Sequence, residues 1–184
     1  MCKAASAPQL TITQLRKGSK MELNRKEART AVYEILFERE FRGDDDPTAI
    51  FETASNVRDI PDDAYIREVF YGVVEREEEI NSLIEKFANG WKIGRISRPA
   101  LCAMRIAIYE MKYTPDIPFT VSINEAIELV KRYDDEKTKG FVNGVLNGIK
   151  NLIIEESDES FVLVKNTAPK KKGPKPHGGA EKHA

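Results

Sequence analysis

Apolar residues recur along most of this chain at intervals of three and four, and no stretch alternates with the period of two that a half-buried strand requires. The segment "NRKEARTAVYEILFEREF" (24–41) sets Ala28, Ala31, Val32, Ile35 and Leu36 on one helical stripe, with Asn24 placed to cap its start. "GDDDPT" (43–48) reads as a loop, and "PTAIFETASNV" as a shorter helix opening at Pro47 or Thr48. Residues 60–90 carry Ile66, Val69, Phe70, Val73, Val74, Ile80, Leu83, Ile84 and Phe87 at helical spacing, over a run long enough to break in two near Glu77 to Glu79. "SRPALCAMRIAIYEMKYT" (97–114) is apolar nearly all round, which predicts a helix in the middle of a bundle, with Arg105 and Glu110 at its rim. "TPDIP" ends it. "SINEAIELVKRY" (122–133) then opens on a Ser122–Glu125 capping box, with Ile123, Ala126, Ile127 and Val130 as its core stripe. The predicted fold class is all-α.

The stretch "TKGFVNGVLNGIKN" (138–151) is harder to read, because Gly140, Gly144 and Gly148 recur every fourth residue, as do Asn143, Asn147 and Asn151. Interior glycine weakens a helix by about 1 kcal/mol relative to alanine. On a helical wheel, however, Phe141, Val142, Val145, Leu146, Ile149, Leu152 and Ile153 fill one arc of roughly 140°. That width is ordinary for an amphipathic helix, with Thr138 available to cap its start. The asparagines fall opposite, the glycines between, and Phe141 at the boundary. Two readings stay open on spacing alone. The glycines admit a neighbouring helix, or Phe141, Asn143 and Gly144 form an edge where a base stacks and a nucleic-acid backbone comes near.

Composition narrows the function classes. The 184 residues are 41% hydrophobic and 32% charged with a net charge of −1, so any nucleic-acid contact must come from a local patch. No apolar run approaches the ~20 residues that span a bilayer, and the start lacks the apolar core of a secretory signal. Cys2 and Cys102 fit a reduced cytoplasmic protein without a disulfide framework. His177 and His183 both lie near the C-terminus, which leaves no basis for a zinc site or a Ser/His/Asp triad. Pro47 and the missing Gly/Glu spacing exclude an EF-hand reading of the three aspartates at 44–46. The Glu77–Glu79 run reads as a solvated helix face. No catalytic residue, metal or cofactor is expected. The organisation expected is a disordered extension over 1–20 with Met21 as an alternative start, a helical domain over 21–156, and a basic, Lys/Pro/Gly-rich disordered tail over 157–184.

"VSINEAIELVKRYDDEKTKGFVNGVLNGI" (121–149) resembles the C-terminal signature of the NusB family of transcription antitermination factors, most specifically in "INEAIEL" and "FVNGVL". "LCAMRIAIYEM" followed by "DIP" (101–118) is similar to that family's central helix and the turn after it, and "RKEARTAVYEILF" (25–37) to its opening helix. The matches fall in the family's order. The resemblance implies a compact all-helical fold of two packed three-helix bundles, about seven helices in all. It also implies RNA binding without catalysis. The family recognises the boxA element of ribosomal-RNA operon leaders together with NusE, a small-subunit ribosomal protein, and loads onto RNA polymerase in an antitermination complex.

Carried over residue by residue, the resemblance assigns RNA contact to Arg25, Lys26 and Arg29, which share a face of the first helix, and to Phe141, Asn143 and Gly144. Lys139 stands in for the basic residue that usually precedes the aromatic, a position occupied here by Gly140. Phe37 matches a position facing the protein partner. Ala100 and Leu101 replace the family's acidic-basic pair, and Gly148 replaces a larger residue, so only Gly144 of the three glycines belongs to the family pattern. Two alternatives stay open: an RNA-binding module related to ribosomal-RNA methyltransferases, and a non-catalytic helical scaffold, with self-association of the free protein undecided.

Overall fold

The computed structural model describes residues 23–43 and 45–166, and the described residues form eight α-helices, one short 3-10 turn and no strand. The 1–20 extension with Cys2, Met21, and the tail beyond Asn166 with His177 and His183 lie outside the described residues. Two compact units divide the chain at Glu78 and Glu79.

In the first unit, Asn24 opens helix α1 (Arg25–Arg42) with a complete capping box. Its side-chain oxygen accepts from the Lys26 and Glu27 amides at 3.0 Å, and the Glu27 carboxylate accepts from the Asn24 amide at 2.9 Å. These bonds satisfy donors that a helix start otherwise leaves orphaned. Helix α2 (Pro47–Val57) opens with Pro47 in its first turn and Asp46 accepting from the Ala49 amide, and Asp63 caps α3 (Ala64–Glu75) in the same way. Both α2 and α3 pack against α1, around the fully buried Val32, Ile35, Ile50, Ile66 and Phe70.

Arg76 separates α3 from α4 (Glu77–Phe87), the break expected in the long 60–90 run. The rest of the second unit comprises α5 (Arg98–Tyr113), α6 (Phe119–Tyr133), α7 (Thr138–Glu156) and α8 (Glu159–Asn166). Helix α5 packs against both α6 and α7, and every residue from Ala100 to Met111 is buried. An all-round apolar helix buries all its faces only when partners surround it.

Four expectations need correction. Arg105 and Glu110 are buried rather than at the rim, with Arg105 Nε donating to Asn81 Oδ1 at 3.0 Å. The Ser122–Glu125 box does not cap α6, because the helix starts at Phe119 behind Pro118, and Ser122 is an interior, buried residue. Thr138 is the first residue of α7 and does not cap it. The folded domain does not end at 156, because α8 lies inside the stretch assigned to the tail.

Lys165 explains that last correction. Its ammonium is wholly buried and donates to the backbone oxygens of Glu110, Thr114 and Ile117 at 2.5, 2.7 and 2.7 Å. The Glu110 and Thr114 oxygens already accept from the Thr114 and Ile117 amides at 3.2 and 3.1 Å. The ammonium takes up their remaining acceptor capacity and the Ile117 oxygen, and a cation at this end of α5 suits the helix dipole. Burial pushes the Lys165 ammonium down to about 8, against the opposing pull of Glu110 and Asp116.

Candidate nucleic-acid interface

Each unit carries one cluster of the expected RNA-contacting residues. On α1 the three cations separate. Arg25 and Lys26 are exposed, whereas Arg29 is only 3% exposed and belongs to the interior. Arg25 and Arg29 both lie over Tyr65, so they share a helix face as expected, but burial removes Arg29 from the surface on which RNA contact was expected. The Arg25 guanidinium carbon lies 4.3 Å from the centroid of the buried Tyr65 ring, and that of Arg29 lies 5.9 Å from it. A cation over an aromatic face is held by the ring quadrupole, which fixes Arg25 without neutralising it. Lys26 carries no ion pair among the described residues. Glu27 is committed to the capping box. Leu23, Arg25, Ala28, Asp63, Ala64 and Tyr65 line a cleft of about 320 Å³ beside this patch.

The second cluster sits on α7. Val142, Val145, Leu146, Ile149 and Ile153 are buried, Phe141 is half-buried, and Asn143 and Gly144 are exposed. The glycines differ from one another. Nothing lies within 4 Å of where a Cβ would stand on Gly140 or Gly144, but a Cβ on Gly148 would sit 2.5 Å from Phe87 Cδ1. Gly148 is therefore a packing glycine against α4, and the other two are open. Asn147 donates its amide to the backbone oxygen and side-chain oxygen of Asn143, at 2.9 and 3.0 Å, which orients the Asn143 amide outward. Lys139 is ion-paired to Glu136, three residues earlier.

Phe141 has a neighbour that the sequence reading missed. Trp91 is 52% exposed, and its ring centroid lies 6.2 Å from that of Phe141 at an interplanar angle of 54°. The chain turns to place it there. Asn89 and Gly90 adopt positive φ of 50° and 84° after α4, and the Trp91 amide donates to the Ala88 oxygen at 3.0 Å. Glu85 then fastens the following strand of chain, accepting from the Ile93 amide at 3.1 Å and from Lys92 Nζ at 3.2 Å. Those two bonds hold its carboxyl below the usual carboxylate range. Trp91, Arg95, Ile96, Ser97, Lys137, Thr138 and Phe141 enclose a cleft of about 430 Å³. The available signal was a lone tryptophan in a polar Gly-containing turn, too bulky and apolar for a solvated loop without a use.

Phe37 is half-buried on α1, stacked on Tyr33 at 6.0 Å and edge-on to Phe41 at 5.0 Å, and Phe41 is 65% exposed. Ala100 and Leu101, at the positions of the family's charged pair, are buried in the second unit. Among the described residues no group of His, Cys, Asp or Glu is arranged to hold a metal ion, and no helix is long and apolar enough to cross a membrane.

The NusB family model matches residues 26–151. The transcription antitermination protein NusB of Acetivibrio thermocellus is 38% identical over 137 residues, covering 74% of this chain and 94% of that protein. Among solved structures, NusB of T. maritima superposes with a TM-score of 0.65 at 35% identity, covering 71% of this chain and 93% of that one. A NusB chain from a crystal structure of antitermination factors NusB and NusE in complex with dsRNA superposes at 0.63 with 29% identity, covering 70% and 96%. With most of its described residues inside that match, the chain belongs to the NusB family of transcription antitermination proteins.

Proposed function

We propose that this chain is a non-catalytic, cytoplasmic transcription antitermination factor that binds boxA RNA of ribosomal-RNA operons together with NusE and helps RNA polymerase read through terminators. The observation that carries the reading is the edge of α7 formed by the half-buried Phe141 and the exposed Asn143 and Gly144, on a chain similar to a NusB solved with NusE and RNA. An aromatic edge beside an outward amide and an open glycine offers stacking, hydrogen bonding and close backbone approach, the needs of a single-stranded RNA site. Arg25, Lys26 and Lys139 supply phosphate contacts in this reading, and Arg29 supports Tyr65 beneath Arg25. Phe37, with the exposed Phe41 beside it, supplies the surface for NusE. The polymerase complex is reached through that heterodimer, and any homodimer of the free protein gives way to it.

The test is binding of labelled boxA RNA, with and without NusE, across a salt series. Affinity should fall steeply with salt, because neutralised phosphates release counterions. Arg25→Glu with Lys26→Glu should abolish binding while leaving helicity intact, because both side chains are exposed. Unchanged RNA affinity in that double variant sinks the assignment of α1.

A further inference from the structure

Trp91, Arg95 and Lys137 lie outside the RNA contacts proposed above, yet with Phe141 they build a cleft of about 430 Å³, ample for a nucleotide-sized ligand. Its two rings meet at 54° with centroids 6.2 Å apart, so they form a corner rather than a slot. A planar base inserted between parallel rings needs about 3.5 Å on each side, roughly 7 Å in total. The geometry here instead leaves the half-exposed face of Trp91 as a platform, with Phe141 walling one side.

The charges around the corner are unevenly compensated. Of the three consecutive acids before Lys137, Asp134 accepts from the Ser97 hydroxyl, Asp135 from the Lys137 backbone amide at 3.4 Å, and Glu136 from Lys139. Arg95 and Lys137 are exposed and carry no ion pair among the described residues. The Ser97 hydroxyl and the Lys137 amide leave Asp134 and Asp135 charged, so the patch is mixed rather than net positive. What it offers a nucleotide is two cations that the described residues hold in no ion pair, beside an exposed indole, which suit its anionic phosphate and its π-face.

We propose that this cleft holds one unstacked nucleotide of a bound single-stranded RNA, its base lying on Trp91 against Phe141 and its phosphate between Arg95 and Lys137. The proposal rests on the RNA-binding reading above and adds to it a site for a single base. Stacking on aromatic rings tolerates any base, so Trp91 strengthens binding without selecting sequence. Lys139, tied to Glu136, contributes less phosphate attraction than Lys137.

Trp91 is the chain's one tryptophan, so its emission reports this cleft alone. The full chain is titrated with a labelled single-stranded boxA RNA, following RNA anisotropy and Trp91 fluorescence together. The two signals should saturate in step, with the emission quenched. Trp91→Ala should weaken binding about 5- to 100-fold, and Trp91→Phe should restore most of the loss. Arg95→Ala with Lys137→Ala should flatten the salt slope by about 0.7, the loss of one neutralised phosphate on a single strand. RNA binding with undisturbed Trp91 emission and an unchanged Trp91→Ala affinity overturns the cleft and leaves the RNA-binding reading standing. Quenching by NusE alone and not by RNA overturns it in favour of a protein seat. Failure of the wild-type chain to bind RNA at any salt overturns both readings. Trp91 is half exposed, and circular dichroism of each variant checks that its removal leaves the helices formed.

Discussion

Two places in the second unit concentrate positive charge and use it in opposite ways. Lys165 turns inward, wholly buried, with its ammonium spent on three backbone oxygens. Arg95 and Lys137 stand exposed beside an aromatic corner with no ion pair among the described residues. In the sequence no local pattern tells these cations apart by role: Lys165 follows the apolar stretch 161–164, Arg95 lies between Ile93 and Ile96, and Lys137 follows three acids. What separates them is whether the fold has already supplied acceptors. A cation with every proton donated inside the protein is a structural part, and one left uncompensated at the surface is available to a ligand.

The comparison breaks most sharply on Lys165→Ala. That change removes the buried donor shared by the oxygens of Glu110, Thr114 and Ile117, of which the first two keep a backbone amide, and stability should fall by up to about 3 kcal/mol. RNA affinity of the folded variant should not move. Urea denaturation and RNA anisotropy on the same preparation measure both. A loss below roughly 0.5 kcal/mol, the size of an ordinary surface substitution, would show that α8 docks without its lysine.

Phe141→Ala tests the other side of the contrast. If the ring stacks on RNA, affinity should fall by about 1–3 kcal/mol with little change in melting temperature. The reverse pattern, a lower melting temperature with unchanged affinity, makes Phe141 a packing residue and leaves Trp91 without its wall.

The buried cation also has a pH signature. Its folded pKa of about 8 lies below the ordinary 10.5, so between those values the unfolded chain holds more protons than the folded one. Stability contributed by this group therefore rises with pH across that window, on the order of 1 kcal/mol from pH 8 to 9.5. Below pH 8 both states are charged and the full desolvation penalty applies. Lys165→Met should remove this rise, and denaturation of both proteins at pH 7.5 and 9.5 measures it. Equal slopes would mean that Lys165 is solvated in solution.

Much of this arrangement was legible in the sequence, and the misses share one cause. Helical periodicity, the Asn24 cap, the Pro47 start and the break near Glu77 depend on local rules, and the structure has each of them. Arg29 and Arg105 were placed at the surface and Lys165 in a disordered tail, because a charged side chain is seldom buried unless partnered. Their surroundings, Tyr65, Asn81 and the end of α5, are brought to them by the fold from beyond the reach of spacing arguments. Trp91 was missed for the same reason, since its meaning depends on Phe141, fifty residues on and brought beside it only by the fold. The family resemblance supplied Phe141, Asn143 and Gly144 but carried no information on what stands opposite them.

The smallest effects come from the glycines of α7, where one spacing again hides two environments. Gly148→Ala adds a methyl 2.5 Å from Phe87 Cδ1, so the ring or the helix must shift. Overpacking of that kind is worth about 1–3 kcal/mol against a helix-propensity gain of about 1, leaving a modest net loss of stability. Gly144→Ala meets nothing within 4 Å and should stabilise by up to about 1 kcal/mol. If RNA backbone approaches α7 at this open position, the same methyl should weaken RNA binding, so the variant gains stability while losing affinity. Gly140→Ala, equally open but outside the family pattern, should gain stability and leave affinity alone. Thermal melts and RNA titrations of the three single variants separate these outcomes. Should Gly144→Ala and Gly140→Ala behave identically toward RNA, close backbone approach is not the reason for Gly144, and the edge reduces to Phe141 and Asn143.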